Sequence, residues 1–217
     1  NILNKKKIRN LLNKISESKN SDLSQNIKNA YHENAEIYAF HPVNHIKGID
    51  EIINTLWKPL LNSFPDLERR DNLIIGGSFQ DRVYVSTVGH LTGTFVNTWL
   101  GVPSNGKTIH LRICEVHQIE NEKIINSHVL IDIMDFIRQA GFWPINSSLG
   151  IEEMWPGPIT GDGTTFENLD SDLSARTLDQ GLTMQRSLDI KPETDTGATK
   201  DSVRQKLINH PQKNYWH

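Results

Sequence analysis

The sequence predicts an α+β fold: helices packed on one face of a curved antiparallel sheet, with a pocket between them. Three observations predict it. Over the first 64 residues, apolar side chains recur at helical spacing. From Asp66 onward they alternate with polar ones, as in strands. Gly89 and Gly93 interrupt a strand-like run and mark the bends or bulges that curve a sheet. Helices in one run and strands in the next segregate into two layers. A strongly bent sheet closing over a helix leaves a cavity.

The elements follow in order. Ile8, Leu11, Leu12 and Ile15 have i, i+3, i+4, i+7 spacing and predict an amphipathic first helix. Ser21 or Asp22 caps a short second helix with Leu23, Ile27, Ala30 and Tyr31 on one face. Ile37, Tyr38 and Phe40 place a short strand within residues 35–45. Gly48 precedes the longest apolar stripe, Ile49, Ile52, Ile53, Leu56, Leu60, Leu61 and Phe64. Pro59 bends that helix and Pro65 ends it. Strands are predicted over 67–75 and 82–91, joined by a turn at Gly76-Gly77, and residues 94–100 continue the sheet. Trp57, Phe95 and Trp99 are core residues, Trp99 also a wall of the cavity.

Residues 108–141 carry the candidate chemistry. Ile109 to Ile119 and Ile124 to Ile131 read as paired strands joined at Glu120-Asn121-Glu122-Lys123, followed by a helix over 133–140 with Gly141 as its αL cap. With Asn121 and Glu122 as a two-residue loop, Leu111 opposes Asp132, Glu115 opposes His128 and His117 opposes Asn126. Glu115, His117, His128 and Asp132 then share one face. A one-residue change of register breaks the set. Leu130, Ile131 and Ile133 surround Asp132, and apolar surroundings raise a carboxyl pKa towards the range useful for proton transfer. The plainer alternative makes Asp132 the N-cap of the helix that follows. Likewise, His117 and His128 read as surface or core histidines, and Glu115 as half of a cross-strand charge pair.

Composition excludes several classes. The 217 residues are 36% hydrophobic and 23% charged, with net charge −3, so nucleic acid binding has no electrostatic support. Cys114 alone makes neither an intramolecular disulfide nor a cysteine zinc site, which fits a reducing, cytoplasmic setting. No apolar run approaches the ~20 residues of a membrane span. The start lacks both a signal-peptide core and an initiator Met, as in a trimmed chain. His41 and His45 flank Pro42-Val43-Asn44, a loop rather than a helix, so no metal site is expected. Nucleotide-binding glycine motifs and nucleophile elbows are missing, and no cofactor is expected. After Trp143-Pro144 the chain turns to Ser, Gly, Thr, Asp and Pro, with short helices predicted over 173–188 and 201–209. The organisation expected is one domain over 1–145 and an arm over 146–217. That arm either wraps a neighbouring subunit or ends in the start of a second repeat, since Tyr215-Trp216-His217 echoes Ala30-Tyr31-His32.

Four pieces in fixed order resemble one family: Gly89-His90-Leu91-Thr92-Gly93-Thr94-Phe95, Gly101-Val102-Pro103-Ser104-Asn105-Gly106-Lys107, Glu122-Lys123-Ile124-Ile125, and Asp132 followed by Arg138-Gln139-Ala140-Gly141. Together, over roughly residues 5 to 143, they resemble the SnoaL-like polyketide cyclases. The resemblance implies the cone-shaped α+β fold of the nuclear transport factor two superfamily. It implies a cofactor-independent cyclase or isomerase acting on a polyketide-like or other small hydrophobic, carbonyl-bearing substrate. Asp132 would be its acid/base, and His117 and His128 would hydrogen-bond the enolate or carbonyl oxygen. Glu115, Arg112, Trp99, His41 and Tyr38 would line the substrate. The chain departs from the typical pattern at Asn126 and His128, where an acidic residue and a Trp are usual, and at Pro103-Ser104-Asn105-Gly106, which replaces a Pro-Thr-Gly turn. Two alternatives remain. One is epoxide hydrolysis, which needs a second Asp and an Arg aimed at one point; Arg112 is available, but no second Asp is evident in the strands. The other is a non-catalytic binding or dimerisation module. Cys114, Val116 and Val129 are expected on the face opposite Asp132, covered by a homodimer partner or by the arm.

Overall fold

The fold is that of a computed structural model in which residues 2–143, 146, 161, 163–166 and 170–188 are described. The chain divides into two compact units, Asn1–Phe166 and Glu167–His217.

In the first unit α1 (Ile2–Ser16) and α2 (Leu23–Ala30) bury the stripes their spacing predicts, with Ile8, Leu12, Ile15, Leu23 and Ile27 all almost inaccessible. β1 (Tyr31–Ala39) and the short β2 (His45–Lys47) follow. A single helical rod comes next: α3 (Ile49–Glu51), a π turn (Ile52–Trp57) and α4 (Lys58–Ser63). The bend expected at Pro59 takes the form of that π turn. Proline has no N–H to give and crowds the preceding turn, and the wider turn immediately before it, closed by Lys58 N–H to Ile53 O, accommodates it.

β3 (Glu68–Phe79), β4 (Arg82–Thr94), β5 (Thr108–Glu120) and β6 (Lys123–Ile131) form an antiparallel meander, and α5 (Ile133–Ala140) ends at Gly141 in the αL conformation. The open sheet runs β2-β1-β6-β5-β4-β3, antiparallel throughout except where β1 lies parallel to β6. Helices and sheet enclose an aromatic core in which Phe64, Phe95, Trp99 and Phe136 pack with ring centroids 4.9 to 6.3 Å apart.

Three local expectations change. Gly76-Gly77 is inside β3, and the turn is Gln80-Asp81, both with positive φ. Paired left-handed residues match the twist of a two-residue hairpin, and polar side chains tolerate that region. Residues 95–100 leave the sheet, held by a bridge between Trp99 and Val102 and by hydrogen bonds of Phe95 to Gly106 and Lys107 and of Val96 to Ser63. Finally, Tyr31 opens β1 rather than closing α2.

Two bulges fix which side chains face inward. In β3 the pairing shifts between Asp71 and Leu73, leaving Asn72 as an extra residue. Opposite it, a Cβ at Gly89 would lie 2.2 Å from the Arg70 carbonyl oxygen, so only glycine fits there. In β6 the two-residue loop at Asn121-Glu122 forms as expected, but Ile125 bulges out and the register shifts by one.

In the second unit α6 (Ser171–Leu188) occupies the helix expected over 173–188, with Asp170 accepting from the Asp172 and Leu173 amides at 2.9 and 3.2 Å. The helix expected over 201–209 and the Tyr215-Trp216-His217 echo lie outside the described residues.

Candidate active site

The β6 bulge decides the site. Beyond it Val116 opposes His128, Glu115 opposes Val129 and His117 opposes Ser127. The expected four-residue face is therefore split. Glu115 and His117 point to the side the helices cover, 3% and 0% exposed, and Val129 joins them there at 4%. On the other side, His128 is exposed.

Asp132 is not in an apolar cavity. It follows β6 opposite Arg112, on the side away from Glu115, and its side chain is 37% exposed. It caps α5 by accepting from the Asp135 amide at 2.9 Å and pairs with Arg112 at 2.7 Å. The apolar neighbours do not enclose it: Ile131, the last residue of β6, is buried on the other side of the sheet, and Ile133 already belongs to α5.

The remaining expected substrate contacts also scatter. Arg112 is on the outer side with Asp132 and Asp135. Tyr38, 42% exposed, is stacked between His45 and His128 at 4.6 and 5.2 Å, its hydroxyl donating to Glu36. His41 is exposed in the loop after β1. Trp99 is in the core against Phe40, Phe64 and Phe136.

Inside, β3, β4 and β5 assemble a buried charged group. Arg69 donates through Nε to Asp71 Oδ1 at 2.9 Å, and through Nη2 to the Thr87 hydroxyl at 2.7 Å and to Glu115 Oε2. The Thr87 hydroxyl donates to the same Glu115 oxygen at 3.0 Å. Burial, the largest single influence, would push the Glu115 carboxyl up, but the Arg69 guanidinium and the neighbouring His117 together outweigh it and hold the carboxyl well below the usual carboxylate range. The β3 bulge makes this possible, since it keeps Arg69 and Asp71 inward while Ile74, three residues on, is inward too.

His117 adjoins this group. Its Nδ1 is 2.8 Å from the Ser127 hydroxyl, and its Nε2 is 3.7 Å from Glu115 Oε2, too far for a hydrogen bond. The Tyr31 hydroxyl is next to Ser127 and Trp57, and burial together with the Glu115 charge pushes its pKa up, so the phenol stays protonated. Trp57 comes from the π turn, a feature often found at functional sites.

Several buried polar atoms here lack a hydrogen-bond partner: His117 Nε2, Arg69 Nη1, Asp71 Oδ2 and Trp57 Nε1. Buried polar atoms without partners are costly. Their concentration around one charged group leaves donors and acceptors there that a polar group or buried water would satisfy. Arg69, Asp71, Tyr31 and Ser127 escaped the sequence reading. Only the charged alternation Arg69-x-Asp71 within a strand signalled them.

Among the described residues no group of three or more His, Cys, Asp or Glu side chains is placed to share a metal ion. Nor is any helix there long and apolar enough to cross a membrane.

The SnoaL-like polyketide cyclase family matches residues 9–140. None of the curated proteins matches the chain. Solved structures share the fold. A protein from Jannaschia Sp. CCS1, provisionally named a SnoaL-like polyketide cyclase, is 17% identical over 65% of this chain and 93% of its own, with TM-score 0.53. AclR of Streptomyces galilaeus, provisionally named a hydroxylase, is 20% identical over 65% of this chain and 98% of its own, with TM-score 0.51. TsrD of Streptomyces laurentii is 14% identical over 64% and 96%, with TM-score 0.52. With a family match across most of the cone and the same architecture in the solved structures, the chain belongs to the SnoaL-like polyketide cyclase family.

Proposed function

We propose that the protein is a cofactor-independent cyclase or isomerase acting on a small carbonyl-bearing molecule, with His117 as the acid/base in place of Asp132. One observation carries this reading. His117 is fully buried, tied at Nδ1 by Ser127, and has an unpartnered Nε2 beside an ionised Glu115. With its Nδ1 proton donated to Ser127, the imidazole presents its Nε2 lone pair to the hydrogen next to a carbonyl. Taking that proton makes an imidazolium, which the nearby Glu115 carboxylate stabilises. The negative charge moves to the carbonyl oxygen, for which Trp57 Nε1 and Arg69 Nη1 are uncommitted donors. After a new carbon–carbon bond forms, the same imidazolium returns its proton to the alkoxide. Glu115 itself is too weak a base for this step, since Arg69 holds it ionised.

A second reading has its own support. Arg69 is held between Asp71 and Glu115, the two carboxylates and one Arg that epoxide opening by water needs. In that reading Asp71 Oδ2, without a hydrogen-bond partner, activates the water.

Ligand-dependent melting against a panel of ketones, epoxides and lactones separates the two. Carbonyl compounds should raise Tm, and His117→Asn should lower turnover by at least ~10² while binding persists. Epoxide turnover lost in Asp71→Asn and kept in His117→Asn would favour the second reading.

Self-association belongs to the same proposal. On the outer face Ile75 and Leu130 are 56% and 63% exposed, and Leu73 and Tyr38 lie on that face too. Apolar surface of this kind favours pairing with a second copy, and sedimentation velocity measures it.

A further inference from the structure

We propose that residues 163–166 act as an internal strap that holds α1 closed over the buried charged group and so governs access to it. The access claim rests on the reading of that group as the site.

Two backbone hydrogen bonds fasten the strap to the β3 bulge. The Gly163 amide donates to Asn72 O at 3.0 Å, and the Ile74 amide donates to Gly163 O at 3.0 Å. An edge strand leaves its outer N–H and C=O groups open to such pairing, and a bulge turns them outward. The approach is close. A Cβ at Gly163 would lie 2.5 Å from Asn72 O and 3.0 Å from Leu73 Cα.

From that anchor the chain reaches α1. Lys5 Nζ donates to the Thr165 carbonyl. The Phe166 ring meets three cations of α1: Arg9 Cζ at 5.6 Å, Lys6 Nζ at 5.8 Å and Lys5 Nζ at 5.9 Å from its centroid. One ring thus gathers the polar side of the helix.

Arg9 links strap and site. Its guanidinium is near Phe166 outside, while its Nε is 3.4 Å from Asp71 Oδ2 inside. That pair is loose. Arg9 Nε and Asp71 Oδ2 are both buried and neither completes a hydrogen bond. Asn13, one turn further along α1, also buries an unpartnered Oδ1. The inner polar side of α1 is therefore weakly held, and Phe166 supplies a hold from outside. With the ring released, Arg9 is free to swing from Asp71 and open a polar path towards Arg69, Glu115 and His117. Attachment through two backbone bonds, the Lys5–Thr165 bond and one ring places this opening far below global unfolding in cost.

The test uses the full chain with Phe166→Ala and, separately, Gly163→Val. Two readouts are taken: hydrogen–deuterium exchange of α1 and β3 amides, and the rate of diethyl pyrocarbonate modification at His117, resolved by peptide mass spectrometry. His128, already exposed, is the internal control. Both variants should speed exchange in α1 and speed His117 modification by roughly ten-fold, with His128 unchanged. Phe166 is only partly buried at the edge of the core and Phe166→Ala adds no backbone clash, so it reports even where Gly163→Val folds poorly. Unchanged α1 exchange, or unchanged His117 modification despite faster α1 exchange, would overturn the strap. If both change while binding kinetics of a ligand found by the melting panel do not, the strap stands and the reading of the charged group as the site falls.

Discussion

The Ser127 hydroxyl and Nδ1 of His117 lie 2.8 Å apart across the β5–β6 pair, both fully buried. This contact sets the ring's orientation, and with the proton on Nδ1 it leaves Nε2 as the free base. Ser127→Ala should therefore cost about 1 kcal/mol of stability, the ordinary worth of one such bond. Turnover should drop more, by roughly ten- to hundred-fold, because a misaligned base loses the reactive geometry. Steady-state kinetics beside a denaturant titration check this. A stability loss with unchanged kcat would make Ser127 merely structural.

Glu115 predicts an acid-sensitive fold. Its folded pKa lies below its unfolded one, so its contribution is complete above the unfolded value of about 4.3 and is lost as pH falls. Stability should decline from about pH 5 downward. In Glu115→Gln the amide removes one charge from the buried group and leaves Arg69 with Asp71 alone. Stability at neutral pH should fall by about 3–5 kcal/mol, and the acid slope should flatten. Urea melts at several pH values measure both. An acid slope identical to that of the wild type would show that other carboxylates carry it.

The two layers and most helices were legible because each repeats a period over many residues, and the 121–122 loop because four polar residues break two apolar runs. The site was legible only in part. Glu115 and His117 came out together because they are two apart in one unbroken strand. His128 and Asp132 were misplaced because one extra residue, Ile125, reverses every side chain after it. Nothing in Ile124-Ile125 announces a bulge, since both are good strand formers. The same limit hid Asp71. Asn72 bulges between two ordinary-looking strand residues, and the visible clue was across the sheet at Gly89.

That clue is itself testable. Gly89→Ala places a methyl group 2.2 Å from a backbone oxygen, which no rotamer change relieves. The strands must separate at the bulge, beside Arg69 and Asp71. A destabilisation of about 2 to 3 kcal/mol follows, at the upper end of overpacking costs. Urea denaturation should show a lower midpoint with the slope unchanged. A neutral result would mean that β3 and β4 do not approach this closely.

Asp132 decides between the two placements of the acid/base. Its Oδ1 accepts from the Asp135 amide at 2.9 Å, and its Oδ2 accepts from Arg112 at 2.7 Å. Asparagine keeps the first contact, because an amide oxygen caps a helix about as well as a carboxylate. It weakens the second, but both side chains are partly exposed, and such pairs are worth at most about 1 kcal/mol. Asp132→Asn should therefore change stability by less than about 1 kcal/mol. Asp132→Ala loses the cap as well and should cost about 1–2 kcal/mol. The cost reaches the core because α5 carries Phe136, fully buried between Phe64, Phe95 and Trp99. Turnover should survive Asp132→Asn, since this carboxylate is on the opposite side of the sheet from His117. Rate and stability measured on the same protein give the answer. A loss of two orders of magnitude in rate at unchanged stability would falsify the assignment of His117 and return the proton transfer to Asp132.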